Sequence, residues 1–374
     1  MSAASRRLSL SGQCFCLARS LPNLKSIPIL AIEKTKGGSS LEIRQRQEHL
    51  CRGCGSGGSC TARAIPAHIF GVTFAEARTL HRAPALSHTA KEMAVFALVT
   101  GVHHTVAAYG YRGGSLFERR DFSMAGTLVK HPQGDLLIDT GFGRNIDEQF
   151  HTMPLIFRAI TSYSLWQPAA DQLRAAGYDQ KSLNAILLTH AHWDHVSGLP
   201  DFPGVPVWVT PQEREFIRKG GNWQFGKPFP GIRYEEYGFE GGPCLGFSES
   251  HDVYGDGSIV VVPAPGHTPG SVIIFVTLHN GTRYAFVGDL VWQLEGITLR
   301  EERPWITRNS DWDAEGTRQN LLRMIAIKER LPELIIVPAH DMRAFAEMPT
   351  LSRASQKARK QSMIPSFPLF TYDD

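Results

Sequence analysis

Thr189-His190-Ala191-His192-Trp193-Asp194-His195 places three imidazoles and one carboxylate within six consecutive residues, from His190 to His195. A chance cluster of polar loop residues seldom reaches this density, so the stretch reads as a binuclear metal site. The preceding Ala185-Ile186-Leu187-Leu188 is a short apolar run suited to a buried strand, which puts the histidines where the chain leaves a sheet. If strand geometry persists through that point, His190 and His192 point the same way, while Asp194 and His195 turn toward a second ion beside the first.

Three further candidate ligands repeat this plan. His267 follows Ile259-Val260-Val261-Val262, Asp289 follows Tyr284-Ala285-Phe286-Val287, and His340 follows Leu334-Ile335-Ile336-Val337. Proline and glycine mark the turns in Pro265-Gly266-His267-Thr268-Pro269-Gly270, in Gly288-Asp289 and in Pro338-Ala339-His340-Asp341. A lone histidine beside a strand is usually a hydrogen-bonded structural residue, and a Gly-Asp pair is usually an ordinary turn. The weight lies in their combination.

Taken in order, His-x-His-x-Asp-His, Pro-Gly-His, Gly-Asp and a C-terminal His resemble the metallo-β-lactamase-fold metallohydrolase superfamily, from about Met93 to about His340. Leu137-Ile138-Asp139-Thr140-Gly141 adds a further motif, in which family members carry a mainly structural aspartate beside the site. The resemblance implies an α/β (α+β) chain folded as a four-layer αβ/βα sandwich, with metals at one end of two packed sheets. It also implies that His190, His192 and His267 hold one metal, that Asp194, His195 and His340 hold the other, and that Asp289 bridges them.

Imidazole and carboxylate without thiolate suit two divalent ions, Zn(2+) first, with Fe or Mn as alternatives. The expected reaction is hydrolysis of a carboxylic ester by a metal-bridging hydroxide, oriented by Asp194, which then passes a proton to the leaving group. Within the superfamily, His195 beside Asp194 argues against the β-lactamase group that lacks this histidine. The wider context, including His131-Pro132 and Val337-Pro338-Ala339-His340-Asp341, looks most like the N-acylhomoserine lactonase-like branch, so a lactone is the expected substrate. A glyoxalase-II-like thioester hydrolase and a mononuclear iron persulfide dioxygenase are the alternatives. One position departs from the best-known lactonases, which place a tyrosine three residues after the bridging aspartate; here it is Trp292, with a donor N–H but no hydroxyl. Trp193 and Trp292 are the residues expected to line an apolar substrate pocket, whereas Phe142 and Met153 suit the core. His103-His104, on the first strand, lies apart from every ligand motif and reads as a surface or packed pair.

The chain has 374 residues, 42% hydrophobic and 20% charged, an ordinary globular composition. Its net charge of +3 is unevenly spread: residues 1–92 carry 13 Lys/Arg against 5 Asp/Glu, and residues 93–374 carry 26 against 31. A mildly acidic catalytic region disfavours nucleic acid as a partner, because phosphates are gathered by positive fields. Apolar stretches such as Ser271 to Val276 fall well short of the roughly 20 residues of a bilayer helix, so a small molecule is the expected partner, not a membrane. Oligomeric state is not legible.

Residues 1–92 have no acidic residue before Glu33 and read as a disordered, targeting or upstream extension of a catalytic domain at 93–374. Cys51, Cys54 and Cys60 lack a second paired set and fit a flexible linker better than a zinc site. With no disulfide framework evident, a cytoplasmic location is expected, or an organellar one if the extension is a transit peptide. From Met93 onward, Ala94–Val99, Ala125–Lys130 and Asp135–Ile138 suggest an opening antiparallel meander, while Pro168–Gly177, Pro211–Lys219 and Trp312–Arg330 carry helical signals.

Overall fold

Strands form where continuous apolar runs can bury both faces, and the two packed sheets follow from that. A computed structural model describes residues 93–220, 224 and 229–351. The expected extension at 1–92 and its cysteines lie outside the described residues.

The first sheet has seven strands in the order β4-β1-β2-β3-β5-β6-β7. These are β1 (Ala94–Val106), β2 (Arg119–Lys130), β3 (Asp135–Ile138), β4 (Ser162–Leu165), β5 (Leu183–Leu187), β6 (Val207–Val209) and β7 (Tyr234–Glu236). β1, β2 and β3 form the antiparallel meander, and β3, β5, β6 and β7 then run parallel. β1 extends well beyond Val99, because it pairs with β2 as far as Val106 opposite Arg119 after an irregularity between Val99 and Gly101. The second sheet has five strands in the order β12-β11-β10-β9-β8, namely β8 (His251–Asp252), β9 (Ile259–Pro263), β10 (Val272–Thr277), β11 (Arg283–Gly288) and β12 (Ile335–Pro338).

Side-chain alternation assigns the layers. Val95, Ala97, Ala185 and Leu187 of the first sheet meet Ile259, Val261, Val272, Ile274 and Phe286 of the second in one apolar cluster between the sheets. Their neighbours Phe96, Leu98 and Ile186 face the other way and pack with Ala169, Ala170 and Leu173 of the helix Ala169–Ala176. On the far side, Val260, Val262, Ile273, Phe275, Ala285 and Val287 pack with Leu321, Met324, Ile325 and Ile327 of the helix Ala314–Arg330. Helix, sheet, sheet and helix make the four layers of an αβ/βα sandwich.

The expected helices form with small boundary shifts. Pro168 precedes Ala169–Ala176, which stops at Gly177 in a left-handed conformation at φ 75°. Pro211–Lys219 is capped by Thr210, whose side chain accepts from the Glu213 N–H. Asp313 caps Ala314–Arg330. Among the described residues no helix is long and apolar enough to cross a membrane.

Candidate metal centre

The histidine-rich stretch does not continue as a strand. β5 ends at Leu187, and a single helical turn, Trp193–Val196, begins directly after His192. His192 and His190 nevertheless reach one cluster, because the turn presents different ring atoms: His192 Nδ1 lies 2.8 Å from His267 Nε2, whereas His190 approaches through Nε2. His267, Asp289 and His340 each stand just past an apolar strand, at the same end of the two sheets. Two glycines let the backbones come this close. Gly288 adopts φ 51° against the Thr189 side chain, and a Cβ on Gly266, at φ 152°, would meet the Thr317 nitrogen at 2.3 Å.

All seven expected ligands are brought together and buried, none more than 9% exposed. They form two groups, His190, His192, His267 and Asp289 in one and Asp194, His195 and His340 in the other, with the donor atoms of each group within 4.8 Å of one another. Asp289 faces both. Its Oδ2 lies 3.2 Å from His267 Nε2 and 3.9 Å from His190 Nε2, and its Oδ1 lies 3.0 Å from His340 Nε2 and 3.3 Å from His195 Nε2. Asp194 Oδ2 is 3.4 Å from His340 Nε2.

These residues fit divalent metals. Buried polar atoms are normally hydrogen-bonded, yet His190 Nε2, His195 Nε2 and Asp289 Oδ1 have no such partner. Burial, helped by His195, pushes His190 well below the ordinary imidazole range, and burial with His267 does the same to His192, leaving neutral rings with lone pairs to donate. For Asp289 burial acts upward but is outweighed by His340, His195 and His190, which hold the carboxylate ionised. His195 and His340 are pushed up instead, burial being outweighed by Asp139 and Asp289 for the first and by Asp289 and Asp194 for the second, and would give up that proton to a metal. Imidazole and carboxylate together form a nitrogen and oxygen donor set suited to Zn(II), Fe(II) or Mn(II).

The opposite ring atoms are tied down. His340 Nδ1 donates to the Ser123 carbonyl at 2.9 Å, which leaves Nε2 as the lone-pair nitrogen. His195 Nδ1 lies 2.8 Å from Asp139 Oδ2, and Asp139 also accepts from the Thr189 N–H and hydroxyl. Asp139 holds this position with φ 51°, uncommon for a residue with a side chain. His267 Nδ1 lies 2.9 Å from Asp311 Oδ1, and Arg303 pairs with the same carboxylate oxygen.

The two tryptophans part ways. Trp193 is buried among Phe142, Phe150 and Phe157, with ring centroids 5.3–5.6 Å away, which corrects its expected place in a pocket wall. Its bulk is taken up by the core, as is that of Phe142 and Met153. Trp292 stays at the centre, partly exposed, with its indole donating to Asp289 Oδ2 at 2.8 Å. His103 is closer than expected: it pairs in register with Phe122, whose ring stacks on His340, and burial pushes it down to about 4.

Glu213 had no metal-site signal. Thr210-Pro211-Gln212-Glu213 has the spacing of a helix capping box, which explains a glutamate there without reference to a site. Its buried carboxylate instead joins two ligand loops, accepting from the Ala191 N–H at 2.6 Å, the Thr268 hydroxyl at 2.6 Å and the Gly270 N–H at 3.0 Å. Arg303 and Asp311 carried no local motif at all.

Comparison with known proteins agrees with this geometry. The family described as the Metallo-beta-lactamase superfamily matches residues 125–340. A protein of Mycobacterium tuberculosis named a probable metallo-hydrolase is 31% identical over 236 residues, covering 57% of this chain and 73% of that protein. The N-acyl homoserine lactonase AttM of Rhizobium radiobacter is 27% identical over 176 residues, 45% of this chain and 65% of that enzyme. A solved N-acyl homoserine lactone hydrolase, holding the product N-hexanoyl-L-homoserine at its catalytic metal centre, superposes with a TM-score of 0.56 at 15% identity, over 68% of this chain and 96% of that one. At that identity the likeness speaks for the fold.

Proposed function

The chain belongs to the metallo-beta-lactamase superfamily and is a metallo-hydrolase, and from that premise we propose a two-metal enzyme that opens a carboxylic ester, a lactone first. One observation carries the two-metal reading: Asp289 turns one oxygen to each histidine group. In this reading His190, His192 and His267 would hold one ion and Asp194, His195 and His340 the other, with Asp289 offering an oxygen to each group. Two divalent ions, Zn(2+) first, would supply Lewis acidity and acidify water toward neutrality.

The chain's own groups do the rest. Asp194 turns Oδ2 toward His340 Nε2, 3.4 Å away, which leaves its other oxygen to take a proton from attacking water. The same carboxyl then returns that proton to the leaving oxygen as the ester C–O bond breaks. Trp292 plays no carbonyl-polarising part, since its N–H is committed to Asp289.

The lactone assignment is supported by the AttM relatives and by the excess of acid over base in residues 93–374, which disfavours polyanionic substrates. A panel of acyl-lactones, simple esters, thioesters and phosphodiesters, with oxygen uptake on a persulfide, tests it. Lactones turning over fastest is the expected result. A phosphodiester preferred over all others, or oxygen uptake, overturns the lactonase reading and leaves the fold untouched.

A further inference from the structure

Arg303 is buried behind the half of the centre formed by His190, His192, His267 and Asp289. Its side chain and that of Asp311 are 2% and 1% exposed, and the two form an ion pair. Arg303 Nη1 also donates to the Ser310 hydroxyl at 3.2 Å, and Nη2 lies 3.2 Å from His267 Nδ1. On its other side the guanidinium carbon sits 4.8 Å from the centre of the Trp292 ring.

These contacts close a ring. From Arg303 one arm runs through Asp311 to His267 Nδ1, and the other runs through the Trp292 indole to Asp289 Oδ2. The arms meet again where His267 Nε2 and Asp289 Oδ2 stand 3.2 Å apart. Backbone bonds clamp the same segment to the ligand loop, from the Trp312 N–H to the His267 carbonyl at 3.1 Å and from the Asp313 N–H to the Gly266 carbonyl at 2.7 Å.

We propose that Arg303 is a positioning residue that sets His267 through Asp311 and steadies Asp289 through Trp292, and so tunes the site of His190, His192 and His267 more strongly than the other, with which it shares only Asp289. The proposal rests on the two-metal reading. A buried ion pair adds little stability by itself, because desolvation offsets the attraction. The value of this pair lies in where it points: a planar guanidinium fixes Asp311 by hydrogen bonding while its face steadies Trp292, and both neighbours hold donor atoms. The other half is held by different groups, His195 by Asp139 and His340 by Ser123. Loss of Arg303 therefore falls mainly on one site, since the two share only Asp289.

The test is a zinc titration of metal-free, full-length protein against a chromophoric chelator, for wild type, Arg303→Met, Arg303→Lys, Asp311→Asn and the Arg303→Met/Asp311→Asn double variant. Wild type should give two dissociation constants. Arg303→Met and Asp311→Asn should each weaken one constant by about 10- to 100-fold and the other by clearly less. Arg303→Lys should restore only part of the loss, since an ammonium lacks the planar fork. Because both residues act through one ring, the double variant should be no weaker than the worse single variant by more than about threefold. If Arg303→Met does not fold, Arg303→Lys and Asp311→Asn carry the same comparison. Two unchanged constants, or two that fall equally, overturn the positioning role. A wild type that binds one ion overturns the two-metal reading itself, before any variant is compared.

Discussion

The Trp292 indole donates to Asp289 Oδ2 at 2.8 Å, so the donor that follows this buried aspartate by three residues serves the carboxylate itself. Trp292→Phe keeps an aromatic ring beside Phe122 and His340 but removes the N–H. A hydrogen bond to a charged acceptor contributes about 1.5–3 kcal/mol, so zinc affinity should fall by roughly tenfold or more. Chelator competition checks this, and an unchanged affinity would show the bond to be incidental.

Glu213 supplies a pH signature. Burial, opposed by its Thr268, Ala191 and Gly270 donors, raises its carboxyl from the ordinary 4.5 to about 7. A carboxyl with a raised folded value binds its proton more tightly in the folded state. Its stabilising contribution is therefore fully present below about pH 4.5 and is lost as pH climbs through about 7. In metal-free protein, the difference in Tm between wild type and Glu213→Gln should move against the wild type across that window. A difference that stays flat with pH would place the carboxyl back in the ordinary range.

Much of this architecture was legible from short-range pattern. Ala185 to Leu188 and Ile259 to Val262 are apolar at every position because both faces of their strands are covered, one by the opposite sheet and one by helices. The clustering of the seven candidate donors was legible because each sits within a few residues of such a run. What escaped the sequence acts across long separations. Arg303 meets His267 from 36 residues away, and Glu213 reaches Thr268 across 55, with no periodicity to announce either. Trp193 was misplaced because a tryptophan between two ligands looks like a pocket wall until the aromatic cluster around it is in view. His103 was set apart because only strand pairing brings Phe122, and through it His340, to its side.

A chain beginning at Met93 should keep the fold, the metals and the activity. β1 starts at Ala94, and all seven donors lie beyond it. Circular dichroism and metal content of the shortened chain check this. Insoluble, metal-free protein would assign residues 1–92 to the fold.

Asp194→Asn removes a proton acceptor while nearly preserving shape, since an amide cannot take the proton that a carboxylate takes. Turnover should fall by about 10²- to 10⁴-fold, the usual range for loss of a general base, with secondary structure unchanged. Near-normal turnover would move the proton-transfer role to another group.

Metal content bears most directly on the two-metal reading. Elemental analysis of purified, fully active protein should find close to two transition-metal ions per chain, and Asp289→Ala, which removes the carboxylate facing both histidine groups, should lower that number. One iron per chain at full activity, with no second ion, would contradict it.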